Sequence, residues 1–297
     1  MTSRHYRSPA AFRAALTSRL QNLAKTSPWN LPQLQRQFAY DRLLARLYLN
    51  DQDWILKGAT ALLAREIGVR GSLDIDVHRN RAREQALADL RAAAAADIGD
   101  WFRFELGNTQ IIESGTEGAR VPVIAHLGTA QWARFHVDLV GSDVKMTGDP
   151  DDVPALARIA IPDIEQQGYR AYPLVDHVAD KIAAILQRYG TREAPSTRFR
   201  DLVDLVAIVT SASIPAAEQL TALHSELERR AIQPPTRFDV EDRALWTPGY
   251  AATATKSLLP IAHNLDEALG IVRPFAEPLF GGTAAGRWNP ASAVWED

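Results

Sequence analysis

Apolar residues recur at helical spacing through SPAAFRAALTSRLQNLAK (8–25) and NLPQLQRQFAYDRLLARLYL (30–49), so both segments read as helices, with Ser8 and Asn30 as N-caps. The stretch DWILKGATALLAREIG is apolar and extended up to a turn at Gly58, then helical to near Gly68. SLDIDVHR alternates with the two-residue period of a strand, and AREQALADLRAAAAADI returns to the helical period. WFRFEL, TQIIES, RVPVIAHLG and ARFHVDLVG, separated by Gly-containing turns, predict a small mixed or antiparallel sheet. From about residue 174 the pattern is helical: LVDHVADKIAAILQRYG, STRFRDLVDLVAIVTS, PAAEQLTALHSELERRAI and TKSLLPIAHNLDEALGIV. The tail GGTAAGRWNPASAVWED predicts irregular structure. The fold expected is α+β and two-lobed: residues 1–170 carry a small mixed sheet flanked by helices, and residues 171–297 form a helical lobe.

One strand breaks the usual pattern. In RGSLDIDVHRN, Asp74 and Asp76 are two apart, so both carboxylates face one way while Leu73, Ile75 and Val77 face the other. Like charges side by side on a strand repel, which points to a cation as their partner. Sixteen residues earlier Lys57-Gly58-Ala59-Thr60 forms a strand-to-helix turn, where free N–H groups and the helix dipole favour phosphate. A third carboxylate, Asp138 in FHVDLV, lies on what reads as a neighbouring strand. Three carboxylates beside a phosphate-binding turn suit a two-metal site for phosphoryl or nucleotidyl transfer with Mg²⁺ or Mn²⁺. Ser72 either closes the turn or touches phosphate.

Composition narrows the classes. The hydrophobic share of 46% and charged share of 23% are those of a water-soluble globular chain. No apolar run reaches the roughly 18 residues of a membrane helix, and no signal-peptide core stands near the N-terminus, so a cytoplasmic protein with no membrane partner is expected. With no cysteine, disulfides and thiolate chemistry are excluded. The net charge of −3 conceals an asymmetry: residues 1–50 hold eight Lys or Arg (Arg4, Arg7, Arg13, Arg19, Lys25, Arg36, Arg42, Arg46) against Asp41 alone. Such a segment suits the RNA backbone, or is a solvated helical face. There is no GxxxxGK[ST] loop, HExxH pair or GxSxG elbow.

The motifs together resemble the AbiEii/MenT-type nucleotidyltransferase-like toxins of the DNA-polymerase-β-like superfamily. KGATAL with RGSLDIDV is similar to the family's Lys-Gly-Gly turn followed by Arg-x-Ser-x-Asp-x-Asp. ADKIAAILQR is similar to its lysine-bearing helix, placing the functional lysine at Lys181, and RDLVDL to its Arg-Asp-x-x-Asp-Leu motif. These motifs span residues 54–205 in the family's order, with Ala59 in place of a second Gly or a Ser. The resemblance implies an enzyme with Asp74, Asp76, Lys181 and Asp201 as catalytic residues. It also implies a nucleotide cradle of Lys57, Gly58 and Ser72, and metal ligands Asp74 and Asp76; Asp138 joins the metal ligands on its place in the neighbouring strand, not on the resemblance. The co-substrate would be an NTP, a pyrimidine nucleotide among the options, the acceptor the 3′ end of tRNA, and the partner a cognate antitoxin. Asp204 reads as structural. Two alternatives stand beside this: a nucleotidyltransferase acting on a protein or small molecule, and a non-catalytic RNA- or protein-binding module.

Overall fold

The computed structural model describes residues 5–49, 52–112, 118–141 and 144–297. Arg4 of the basic segment, with Glu113 and Ser114 of the TQIIES segment, lies outside the described residues. The chain divides into two compact units. The first comprises Met1–Arg65, Gly71–Val144 and Asp152–Ala171; the second takes Glu66–Arg70, Lys145–Asp151 and Tyr172–Asp297. The architecture is α+β with a mixed sheet flanked by helices, as the sequence pattern predicts.

The first unit opens with α1 (Pro9–Ala24) and α2 (Leu31–Leu47). Ser8 Oγ accepts from Ala11 N, and Asn30 forms a reciprocal capping box with Gln33, so both helices begin where their sequences place the caps. There follow β1 (Trp54–Lys57), α3 (Gly58–Ala64), β2 (Asp74–Arg79), α4 (Arg83–Ala95), β3 (Phe102–Leu106), β4 (Gln110–Ile112), β5 (Gly118–Leu127), β6 (Ala130–Val140), β7 (Asp151–Val153) and β8 (Tyr169–Ala171). They make an eight-stranded sheet in the order β3-β5-β6-β2-β1-β8-β7, with β4 also on β5. β2 lies in the middle, parallel to β6 and antiparallel to β1. Strict alternation gives the sheet one apolar face, where Ile75, Val77, Val121, Val123, Val137 and Leu139 are buried with α1, α2 and α4. Leu73 departs from the expected alternation: it precedes the strand, in the turn, and is 61% exposed.

The basic segment is not a solvated face throughout. From Gln37 to Leu47 every residue of α2 is buried, including Asp41, Arg42 and Arg46. Arg46 spends all five N–H donors inside the protein: Nε on Ala96 O, Nη1 on Arg42 O and Asp100 Oδ2, Nη2 on Asp100 Oδ1 and Phe102 O. Its guanidinium also lies 5.0 Å from the Phe104 ring centre. Arg42 Nε joins the same carboxylate at 2.7 Å. Asp41 accepts from Leu156 N, Ala157 N and the Tyr169 hydroxyl, tying the segment before β8 to the same helix.

The second unit contains α5 (Leu174–Leu186), α6 (Phe199–Val209), β9 (Ile214–Pro215), α7 (Ala216–Arg229), α8 (Arg243–Ala254), α9 (Leu265–Phe280), β10 (Arg287–Asn289) and β11 (Val294–Glu296). Three details differ from the sequence pattern. The segment 255–264, expected to be helical, is not, while α8 precedes it. Arg188, within the segment LVDHVADKIAAILQRYG expected to be helical, lies beyond the end of α5 and pairs with Glu241 at the surface. The tail expected to be irregular forms a hairpin, β10–β11, with β10 paired to β9. It is held there because Trp288 and Trp295 pack on Phe275 at 5.2 and 5.0 Å, and Trp288 Nε1 donates to Val209 O.

Burial alone would raise the Asp100 carboxyl, but the hydrogen bonds and charge of Arg46, joined by Arg42, hold it below the usual carboxylate range. A carboxyl depressed on folding adds stability above its unfolded value of about 3.9, and that contribution drains as pH falls through the folded value. Asp100→Asn should therefore cost about 3–5 kcal/mol near neutrality by leaving buried guanidinium unpaired. Its denaturant melts should also lose stability less steeply than the wild type below about pH 4. Parallel pH curves for the two proteins would rule this pairing out.

Candidate active site

The polar face of the sheet carries the candidate chemistry of the first unit. Register places Asp74 opposite His136, and Asp76 opposite both Asp138 and Lys57, so all five residues project from the same face of three adjacent strands. The expectation that Asp138 lies on a neighbouring strand agrees with this register. Each carboxylate has its own setting. The Nδ1–H of His136 donates to Asp74 Oδ1 at 3.0 Å. Arg120, on β5 directly across from Asp138, grips both of its oxygens, Nε to Oδ1 at 2.7 Å and Nη2 to Oδ2 at 2.6 Å. The same Nη2 lies 3.7 Å from Asp74 Oδ2. Hydrogen-bonded to Asp138 and close to the charges of Asp74 and Asp76, the Arg120 guanidinium is held charged more firmly than usual.

The turns around β2 are fixed by short side chains. Gly58 begins α3 with φ +59°, and a Cβ there would stand 1.9 Å from Asp76 Oδ2. The backbone thus approaches the carboxylate as only glycine permits. The Ser72 hydroxyl donates to Asp74 O at 2.7 Å and accepts from Asp74 N, so it acts as a turn residue. The buried Thr60 hydroxyl donates to the same Asp74 oxygen, and the Tyr40 hydroxyl donates to Ser72 O. Lys57 ends β1 as the residue preceding α3. His78 continues the Asp74–Asp76 face; burial first, then the Lys57 charge, pushes it down to about 4, so it is neutral at physiological pH.

Hard carboxylate oxygens of Asp74 and Asp76 on one side of β2 are the donor chemistry that Mg²⁺ or Mn²⁺ takes. Asp138 differs from them in that both of its oxygens accept hydrogen bonds from Arg120, which meets Asp74 only at 3.7 Å. Among the described residues, no three His, Asp or Glu side chains are gathered so that they could hold a metal ion.

The second unit holds the other candidates. Lys181 on α5 is buried and donates to Asp201 Oδ1 at 2.9 Å and Asp204 Oδ2 at 2.7 Å, both on α6. Arg70 closes on Asp204 from the other side, Nε and Nη2 each at 2.8 Å. Burial would lower the Lys181 pKa, but the two aspartates outweigh it and raise it above the ordinary lysine value. Burial likewise opposes charge on Asp204, and Lys181 with Arg70 overrides it to hold that carboxyl low. Two cations and two anions thus balance. Asp204, read as structural, is the centre of the group, while Asp201 is the more accessible carboxylate.

Sequence reasoning missed Arg120, His136 and the partner of Arg70. His136 was within reach, since it is two residues before Asp138 on the same strand face. Arg120 was not, because its place opposite Asp138 depends on register across the β5–β6 hairpin.

Gly58→Ala should lose about 1–2 kcal/mol from the left-handed backbone alone, and should displace Asp76. Thermal melts and a crystal structure of the variant measure both; an unmoved Asp76 would show that the close approach does not matter. Asp204→Ala should cost more, about 3–5 kcal/mol, because it strands two cations, whereas Asp201→Ala should cost less in the same melts.

The sequence matches the family described as nucleotidyl transferase AbiEii toxin, Type IV TA system, over residues 42–270. Among curated proteins no match is found. Among solved structures, the nucleotidyltransferase toxin MenT4 of Mycobacterium tuberculosis H37Rv is similar at 16% identity and TM-score 0.57, covering 95% of this chain and 94% of its own. JHP933 of Helicobacter pylori aligns at 16% identity and TM-score 0.47, covering 84% of this chain and 93% of its own. The likeness to MenT4 is one of fold. The family match takes in β2, β6, α5 and α6, the elements that carry both groups of site residues, and this chain belongs to the AbiEii nucleotidyltransferase toxin family.

Proposed function

We propose that the chain is a metal-dependent toxin that transfers nucleotides from an NTP to the 3′ end of tRNA and so blocks translation, held in check by a cognate antitoxin. The observation that carries the reading is the pairing of Asp74 and Asp76 on the central strand, behind turns closed by Gly58, Thr60 and Ser72. A hydroxyl of the acceptor attacks the α-phosphorus of the NTP. The new P–O bond forms as the α–β bridging bond breaks, pyrophosphate leaves and the hydroxyl proton passes to water. Asp74 and Asp76 would hold Mg²⁺ or Mn²⁺, which would offset part of the triphosphate charge.

The protein's own groups do the positioning. Ser72 and Thr60 hold the Asp74 main chain, and His136 orients its carboxylate. Gly58 admits the phosphates near the backbone N–H groups of its turn. Lys181, held by Asp201 and Asp204, is the cation we assign to the negative charge that develops during transfer. A pyrimidine nucleotide stays an option for the donor.

The basic segment supports a tRNA acceptor in altered form. Arg42 and Arg46 are spent on Asp100, which leaves Arg7, Arg13, Arg19, Lys25 and Arg36 as its exposed or half-exposed cations among the described residues. A double reversal, Arg19→Glu with Lys25→Glu, should weaken tRNA binding and reduce the dependence of log affinity on log salt by about two. An unchanged salt slope would remove α1 from the tRNA surface.

The decisive assay supplies Mg²⁺, each labelled NTP in turn and total tRNA, beside Asp74→Ala and Lys181→Met controls. Label should reach tRNA from one or two NTPs, be lost with Asp74→Ala, and fall about 10²–10³-fold with Lys181→Met. Label on a protein or small molecule instead would replace the acceptor. Absence of any transfer, with NTP unbound, would make the chain a non-catalytic binding module.

A further inference from the structure

We propose that Arg120 takes the place of a second metal ion: it holds Asp138 out of the ligand set, so this site carries one divalent cation, on Asp74 and Asp76. The inference deepens the metal-dependent reading above and rests on it. Three observations carry it. Arg120 and Asp138 are register partners across β5 and β6, so the pair is built into the hairpin and needs no loop to swing into place. Both carboxylate oxygens are engaged by a planar fork at 2.7 and 2.6 Å, the bidentate geometry that guanidinium makes best and an ion would have to break. The same Nη2 lies 3.7 Å from Asp74 Oδ2 and 2.6 Å from Asp138 Oδ2, so the guanidinium occupies the gap between these two carboxylates where a bridging ion would sit.

The exchange keeps the positive charge of an ion but not its capacity to bind and acidify a hydroxyl. A guanidinium beside the carboxylate face supplies positive charge, as a second ion would, without needing free metal. Unlike an ion, it cannot be removed by chelators or by dilution of Mg²⁺.

The test counts ions. Mn²⁺ is titrated into the full chain with an equimolar non-hydrolysable NTP analogue, and free Mn²⁺ is read by electron paramagnetic resonance against the analogue alone. Wild type should retain one Mn²⁺ per chain, and Asp138→Asn should keep that stoichiometry with a dissociation constant changed by less than about threefold. Asp74→Asn should weaken binding by about tenfold or more, since even loss of a group that only supports a metal ligand costs that much. Arg120→Gln should raise the count toward two. Circular dichroism of each variant verifies folding; a folded Arg120→Gln that still retains one ion would overturn the role of Arg120, and the wild-type and Asp138→Asn counts still test the single-ion site if that variant does not fold. Two ions in the wild type, or a loss on Asp138→Asn as large as on Asp74→Asn, would overturn the role of Arg120 while leaving the metal-dependent reading intact. No ion retained beyond the analogue's own would overturn both.

Discussion

A guanidinium buried in protein must find an acceptor for every donor, and the first unit is arranged around one that does. Arg46 draws the end of α4, the loop to β3 and the turn of α2 itself onto a single point, with Asp100 as counter-ion. Asp41, five residues earlier on the same helix, does the same with the opposite sign for the segment ahead of β8. α2 therefore organises the unit through directional bonds as well as through apolar packing. Such bonds specify one arrangement, because any other leaves a charge without a partner.

That arrangement delivers the sheet to its other face in fixed register. With the apolar side of β2, β5 and β6 locked against the helices, the opposite side has no freedom in which residues face one another. Asp74 with His136, and Asp138 with Arg120, are consequences of that register. The second unit solves a like problem by charge balance, enclosing Lys181 between two aspartates and compensating the deeper one with Arg70.

Much of this was legible in the sequence, and the limits have physical causes. The Asp-x-Asp strand, its Gly58 turn and the helices bearing Lys181 and Asp201 announce themselves because periodicity and local caps are short-range signals. The fate of Arg42 and Arg46 was hidden, since charge on a helix looks the same whether it faces water or a buried carboxylate 58 or 54 residues away. The C-terminal hairpin was hidden for a related reason: three-residue strands carry little periodic signal, and what fixes them is aromatic packing on Phe275. Arg120 needed strand register, which no single segment encodes.

The setting of Lys181 also decides what kind of group it is. Its proton is bound more tightly than a free lysine's, because losing it would leave two aspartates and one arginine unbalanced in a buried place. It therefore behaves as a fixed electrode rather than a proton carrier. In the proposed function, an alkaline limb of the activity would therefore be sought in the attacking hydroxyl, the nucleotide or another side chain, and not in Lys181.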